Sequence, residues 1–256
     1  MPRSTDKNYL KNKIKSFLGL FNYEIKRINN FEQRFFDSVA EIASDEKKIL
    51  ESISKFALSS KANQWSIIQS LKHIKNKNIP GDIIECGVYK GGSLILINLF
   101  VKYFDLNKKI IGYDTFEEGF NQISEFDTDP KGRKIDKPDF EKVFFPSKQD
   151  VINNLLSCNI KNEDLPVLIK GKTEDTLKDD KNVPDHISFL RLDTDLYEST
   201  RDQLEILYPK LSKGGILHLD DYGHCPGARK AIDEYFKSEN IWLHRVDYTC
   251  RLLIKD

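Results

Sequence analysis

The chain of 256 residues carries 40 Lys and Arg against 40 Asp and Glu, so its formal net charge is zero. That balance offers no general attraction for nucleic acid or anionic lipid, and 39% hydrophobic residues argue against disorder over most of the length. One large domain with a real core is enough to account for it. Cys86, Cys158, Cys225 and Cys250 are scattered with no C-x-x-C pair, which suits a reducing cytosol and sets a cytoplasmic expectation. No apolar run approaches the ~18 residues of a membrane span, so no stable membrane insertion is expected.

The start, MPRSTDKNYLKNKIKSFLGLF, is basic, but its apolar part is broken by lysines and no small-residue cleavage site follows. It reads as an amphipathic helix rather than a secretory signal, packed on its own domain, on a membrane surface or on a partner subunit. Residues from about 8 to 78 read as helical, with Phe35, Val39, Ile42 and Ile49, Ile53, Phe56 at helical spacing. This stretch, 1–78, is taken as a helical N-terminal extension or lid, and 79–256 as the main domain.

From residue 79 the pattern changes. IPGDIIECGVYKGGS gives a turn, a short strand at 82–86 and a glycine-rich turn into a helix. KKIIGYDTF gives a second strand ending at Asp114. Residues 118–147, with Pro130, Pro138 and Pro146, read as a polar excursion from the core. A helix is expected over 147–157, a third strand in LPVLIKGKTEDTL and a fourth in HISFLRLDTDLYEST. EST opens a helix to about Leu211, with Ser199 or Thr200 as its cap and Lys213-Gly214-Gly215 as its stop. GGILHLDDY is the fifth strand, GARKAIDEYF the next helix, and WLHRVDYTCRLLIKD a closing antiparallel hairpin. Strands alternating with helices predict an α/β fold, a mostly parallel sheet covered on both faces. In such sheets ligands sit at the carboxyl ends of the strands, and every unusual polar residue falls there.

The turn Glu85-Cys-Gly87-Val-Tyr89-Lys-Gly91-Gly92-Ser93 lets backbone approach a ligand and offers free N–H groups at a helix start. It is not G-x-G-x-x-G, and Glu85 would point a carboxylate into the space a pyrophosphate needs. A cationic ligand fits better. S-adenosylmethionine (SAM) has an amine and a sulfonium and no phosphate. Asp114, ending the second strand, suits an acid that accepts ribose hydroxyls.

Asp193 and Asp195 end the fourth strand, and Asp220 and Asp221 the fifth. Neighbouring parallel strands lie roughly 5 Å apart, so these acids converge on one edge of the sheet. Clustered carboxylates are costly unless a cation neutralises them. Oxygen donors without cysteine favour magnesium, manganese or calcium over zinc. Asp193, Asp220 and Asp221 are the expected ligands, while Asp195 can instead cap the LYEST turn. Such a cation would activate a substrate hydroxyl, with Asp193 taking its proton. His224, on the loop after the pair, is a candidate substrate contact or auxiliary base. His218 reads as a hydrogen-bonded sheet histidine, and His73, His186 and His244 as structural or surface residues.

RLDTDLYESTRDQLEILYPKLSKGGILHLDDYGHCPGARKAIDEYF, with ECGVYKGGS, DTFEEGF and KGKTEDTL before it, resembles the macrocin O-methyltransferase (TylF-type) family over roughly 79–236. The resemblance implies a Rossmann-like class I methyltransferase fold, a seven-stranded sheet with its last strand antiparallel. It also implies SAM and magnesium (or manganese) as cofactors, and methylation of a sugar hydroxyl on a small molecule. On this basis Glu85, Gly87, Tyr89, Gly91 and Ser93 surround the methionine part of SAM. Asp114, Thr115 and Phe116 meet the nucleoside, and Gly171 and Thr173 lie near the adenine. Asp193, Asp220 and Asp221 hold the metal, and Asp193 is the family's proposed base as well as a donor-site residue. Where the family reads D-S/T-F-E-G, this chain inserts a glutamate, Asp114-Thr-Phe-Glu117-Glu118-Gly119. Its 118–147 segment, the expected substrate lid, is rich in charge and points to a polar saccharide or nucleotide-linked sugar. A homodimer or higher homo-oligomer could form through the N-terminal helices. The alternatives are an NAD- or nucleotide-dependent sugar enzyme, disfavoured by Glu85, and a non-catalytic scaffold, disfavoured by the intact carboxylates. Nucleic acid methylation lacks the basic, aromatic-interleaved stretch it needs.

Overall fold

The computed structural model describes residues 41–120, 123–140 and 143–256. A compact unit runs from Ala43 to Asp256. The expected boundary at residue 79 therefore moves: the helices before it belong to the same unit as the sheet. The expected basic amphipathic segment at the start, and the expected helical positions Phe35 and Val39, lie outside the described residues.

Two helices precede the sheet, α1 (Ser44–Ser52) and α2 (Lys61–Lys77). Ser60 caps α2 by accepting from the Asn63 amide, and Asn78 ends it in the left-handed conformation, φ 51°. The sheet elements follow as β1 (Asp82–Cys86), α3 (Gly92–Tyr103), β2 (Ile110–Asp114), α4 (Lys148–Ser157) and β3 (Val167–Lys170). One turn of helix, α5 (Thr173–Thr176), leads to β4 (Ile187–Leu192), α6 (Tyr197–Leu207), β5 (Leu211–Leu219), α7 (Pro226–Tyr235), β6 (His244–Arg245) and β7 (Arg251–Ile254).

The strands form one seven-stranded sheet in the order β3-β2-β1-β4-β5-β7-β6. The first five are parallel, and β7 is antiparallel to β5 and to β6. Every residue of β4 is buried, as expected for a central strand covered by helices on both faces. The strand order reverses between β1 and β4, neighbours in the sheet but distant in sequence: β2 and β3 extend to one side of them and β5 to the other. That switch point is where a ligand crevice opens in this architecture.

Three local expectations change. Lys213-Gly214-Gly215 does not stop a helix. The helix ends at Leu207, and the glycines lie inside β5, where Ile187 and Phe189 pair with Leu211 and Ile216. The additional β5 residues bulge out, and Gly214 takes φ 77° to allow it. Neither Ser199, Thr200 nor Asp195 caps α6. Its N-terminal Tyr197 amide donates instead to Asp127 Oδ1 at 2.8 Å, from the 118–147 excursion. Asp127 is buried, and its other oxygen accepts from the Ser124 amide and hydroxyl. The excursion is thus pinned to the helix that follows β4. At its surface Arg133 pairs with Asp129 and Asp139.

Candidate active site

The parallel register builds the site in two rows. Glu85 on β1, Arg191 on β4 and His218 on β5 are direct neighbours across three strands. Side chains two residues apart share a face, so Gly87, Asp193 and Asp220 form the next row toward the strand ends. Backbone bonds from Asp193 to Cys86 and from Asp220 to Leu192, each 2.9 Å, continue the ladder and fix that row.

Gly87 is required by this packing. It has φ 88°, and a Cβ there would lie 1.7 Å from the Asp193 carbonyl oxygen. The turn after it is braced by Asp114, whose Oδ2 accepts from the amides of Val88 at 2.6 Å and Tyr89 at 2.9 Å. Its Oδ1 accepts from the Phe116 amide at 2.6 Å. Tyr89, Phe116 and Asp195 all have positive φ although none is glycine. Left-handed backbone at three successive strand ends is strain concentrated around one cleft.

That cleft is a cavity of about 640 Å³ over the carboxyl ends of β1, β2, β3, β4 and β5. Gly87, Tyr89, Ser93, Asp114, Thr115 and Phe116 line one end, with Gly171 and Thr173 beside them. Asp193, Asp195 and Asp220 lie at its floor. The segment Phe56–Asn63 and the C-terminal turn Asp247–Thr249 complete the wall, tied together by the Ser60 hydroxyl donating to Asp247. Among the described residues of the 118–147 segment, Gly119, Phe120, Val143, Phe145 and Pro146 reach the cavity. Phe120 packs on Phe145 and on Phe140. Among the described residues the expectation of a charged lid over the site is therefore corrected: Arg133 pairs with Asp129 and Asp139 away from the cavity, and the wall presented inside is aromatic and apolar.

Three expected site residues stand elsewhere. Glu85 does not point into the cleft. Its side chain is fully buried below the floor, where Oε1 accepts from the Ser93 hydroxyl and from Arg191 Nη1 at 2.7 Å. Burial pushes its carboxyl up, against the pull of Arg191 and Ser93. Gly91 supports the turn at φ 84° but is not part of the lining. Asp221 does not line the cavity, but it stays with the other acids, and its Oδ2 accepts from the Asp195 amide at 3.0 Å. His224 is exposed and turns to the Tyr248 hydroxyl at 3.3 Å, so it is not brought to the acids.

Asp193, Asp220 and Asp221 each place a carboxylate oxygen within 4.8 Å of the others. Burial drives the Asp193 carboxyl well above the ordinary range, against Arg191. Asp221 rises as well, through burial and then the charges of Asp195 and Asp193. Burial also opposes ionisation of Asp220, but Arg191 prevails and holds it below its usual value. A single guanidinium therefore does not neutralise the group. Three clustered oxygen donors that resist ionising together fit a hard divalent cation, which would favour their charged forms. A second trio, Asp195, Asp221 and Cys225, adjoins the first, with the Cys225 thiol donating to Asp195 at 3.2 Å.

Arg191 and Asn63 were not singled out from sequence. Arg191 is fully buried, donating from Nη1 to Asp193 at 2.6 Å and from Nη2 to Asp220 at 2.9 Å. An arginine in the otherwise apolar run ISFLRL, two residues before Asp193, was the available signal. Asn63, on α2, donates to Asp220 Oδ1 and had no local signal. His218 is buried between Ser66 at 3.1 Å and Cys250, and burial with the Arg191 charge brings it down to about 4, so its ring is neutral.

A profile of the macrocin-O-methyltransferase (TylF) family matches residues 52–254. Demethyldecarbamoylnovobiocin O-methyltransferase of Streptomyces niveus is 34% identical over 66% of this chain and 63% of its own length. The 8-demethyl-8-(2,3-dimethoxy-alpha-L-rhamnosyl)-tetracenomycin-C 4'-O-methyltransferase of Streptomyces olivaceus is 31% identical over 61% of this chain and 58% of its own length. The chain thus spans about three fifths of these relatives. The solved O-methyltransferase NovP superposes with a TM-score of 0.70 at 30% identity, covering 78% of this chain and 82% of that one. With its strand order, its glycine turn and its strand-end acids, the chain belongs to the macrocin-O-methyltransferase family and has the class I methyltransferase fold.

Proposed function

We propose that this protein is an O-methyltransferase that moves the methyl group of SAM to a sugar hydroxyl, with magnesium or manganese held by Asp193, Asp220 and Asp221. The observation that carries the reading is the meeting of the glycine turn and the acid cluster in one cavity. The names of the relatives, one of them specifying a rhamnosyl acceptor, support the reaction and the acceptor class.

In this reading the turn Gly87–Ser93 receives the methionine end of SAM, and Asp114, Thr115 and Phe116 receive the nucleoside. Asp114 is already spoken for by three backbone amides, so it both shapes the turn and presents its remaining acceptor capacity to a ribose. When bound, a divalent cation supplies Lewis acidity that lowers the pKa of a substrate hydroxyl. Asp193 accepts that hydroxyl's proton. SAM held by the glycine turn would supply the methyl group: the oxygen would bond to the methyl carbon as the carbon–sulfur bond broke, its electron pair returning to sulfur to leave S-adenosylhomocysteine (SAH). Holding the two reactants in line is worth on the order of 7 kcal/mol or more, which makes rigid strand ends useful supports. The apolar wall of Phe120, Val143 and Phe145 favours a sugar carried on an apolar aglycone over a nucleotide sugar.

The test is transfer of labelled methyl from SAM to a panel of glycosides and nucleotide sugars, with chelator and then with added divalent cations. Transfer to glycosides that chelation abolishes and magnesium restores is the expected result. Transfer that persists in chelator would overturn the metal assignment, and absence of transfer together with absence of SAH binding would overturn the reaction.

A further inference from the structure

All the unpartnered buried side-chain atoms among the described residues belong to one assembly: Asn63 Oδ1, Glu85 Oε2 and Arg191 Nε. At its centre the Arg191 guanidinium holds three carboxylates, Glu85 on β1 and the residues directly after β4 and β5. Two of them, Asp193 and Asp220, belong to the acid cluster. The third, Glu85, also receives the hydroxyl of Ser93, in the first turn of α3 directly after the glycine turn. A continuous bonded path therefore runs from the turn, through Ser93, Glu85 and Arg191, to the acids. Ser93 and Arg191 border the cavity, and Glu85 lies buried beneath it.

The geometry points to Arg191 as a positioning residue that couples the donor site to the cation site. This rests on the methyl-transfer reading of the same cavity. The chemistry of the side chain suits the task. A guanidinium keeps its charge at any working pH and presents its donors as a rigid planar fork, so it can hold several acids in one fixed relation. A lysine carries the same charge at a single point. Glu85 Oε2 and Arg191 Nε also leave room for change, because a buried group without a partner gains by a shift that provides one. A ligand that orders the Gly87–Ser93 turn moves Ser93 and Glu85, and Arg191 transmits that shift to the aim of Asp193 and Asp220. By linkage, a cation on those acids acts on the turn to the same extent.

The experiment measures manganese affinity by electron paramagnetic resonance in the full chain, with and without saturating SAH, which permits no turnover. In the unmodified protein SAH should tighten manganese binding by about fivefold or more, the lower end of common coupling. Arg191→Lys retains the charge but cannot span three acids, and should bring the ratio to within about twofold of unity. Ser93→Ala cuts the path at the opposite end, at a partly exposed position, and should reduce the ratio in the same way. If Arg191→Lys does not give a native near-ultraviolet dichroism spectrum, Ser93→Ala decides. An unmodified protein that binds both ligands without coupling, or a folded variant with full coupling, would overturn the inference while leaving the methyltransferase reading intact. Failure of the unmodified protein to bind either ligand would remove both.

Discussion

Replacing Gly87 with alanine tests whether the fold holds the acid cluster in place. The perturbation has two parts. An L-residue at φ 88° is strained, at about 1–2 kcal/mol. Its Cβ would also stand 1.7 Å from the Asp193 oxygen, where 3.0 Å is the practical minimum, so the two backbones must part by at least about 1.3 Å. Overpacking of that kind costs typically 1–3 kcal/mol. Together they amount to about 2–5 kcal/mol, or a fall in Tm on the order of 5–20 °C for a domain of this size. The displaced group is Asp193 itself, and a misplacement of about 1 Å costs on the order of 100-fold in rate. Gly132→Ala is the control, since Gly132 has φ 85° but nothing within 4 Å of an added Cβ. It carries the backbone strain alone and should lose only about 1–2 kcal/mol. Thermal melts of both variants, with initial rates of methyl transfer for Gly87→Ala, check the reasoning. A Gly87→Ala protein that melts no lower than Gly132→Ala and turns over at the unmodified rate would refute it.

Asp193→Ala and Asp221→Ala should each abolish turnover while SAH affinity, measured by calorimetry, stays within a few-fold; normal methylation by both would end the cation assignment. Asp127→Ala removes the cap of α6 and the anchor of the excursion, a loss of about 2–3 kcal/mol from one cap and the paired Ser124 bonds. It should also raise KM for the acceptor more than KM for SAM. Equal changes in the two constants would separate the excursion from acceptor binding.

The order of strands and helices was readable along the chain because each element announces itself locally. The run ISFLRL is apolar enough for a central strand, and the glycines of ECGVYKGGS break strand from helix. The strand-end positions of Asp114, Asp193, Asp220 and Asp221 followed from the same signals. What those side chains touch did not. Glu85 was read as facing the ligand because it precedes the glycine turn. The register of β1 on β4 instead sets it beside Arg191, 106 positions away, and buries both. Asp127 caps a helix 70 residues later, and Asn63 reaches an acid 157 residues on. His224 follows the acid pair directly, yet it turns out to Tyr248. Periodicity and turn chemistry act over a few neighbouring residues, so they reveal which face and which end a side chain occupies. The partner of a buried charge is chosen by the pairing of strands far apart in sequence, and that pairing exists only once the sheet has formed.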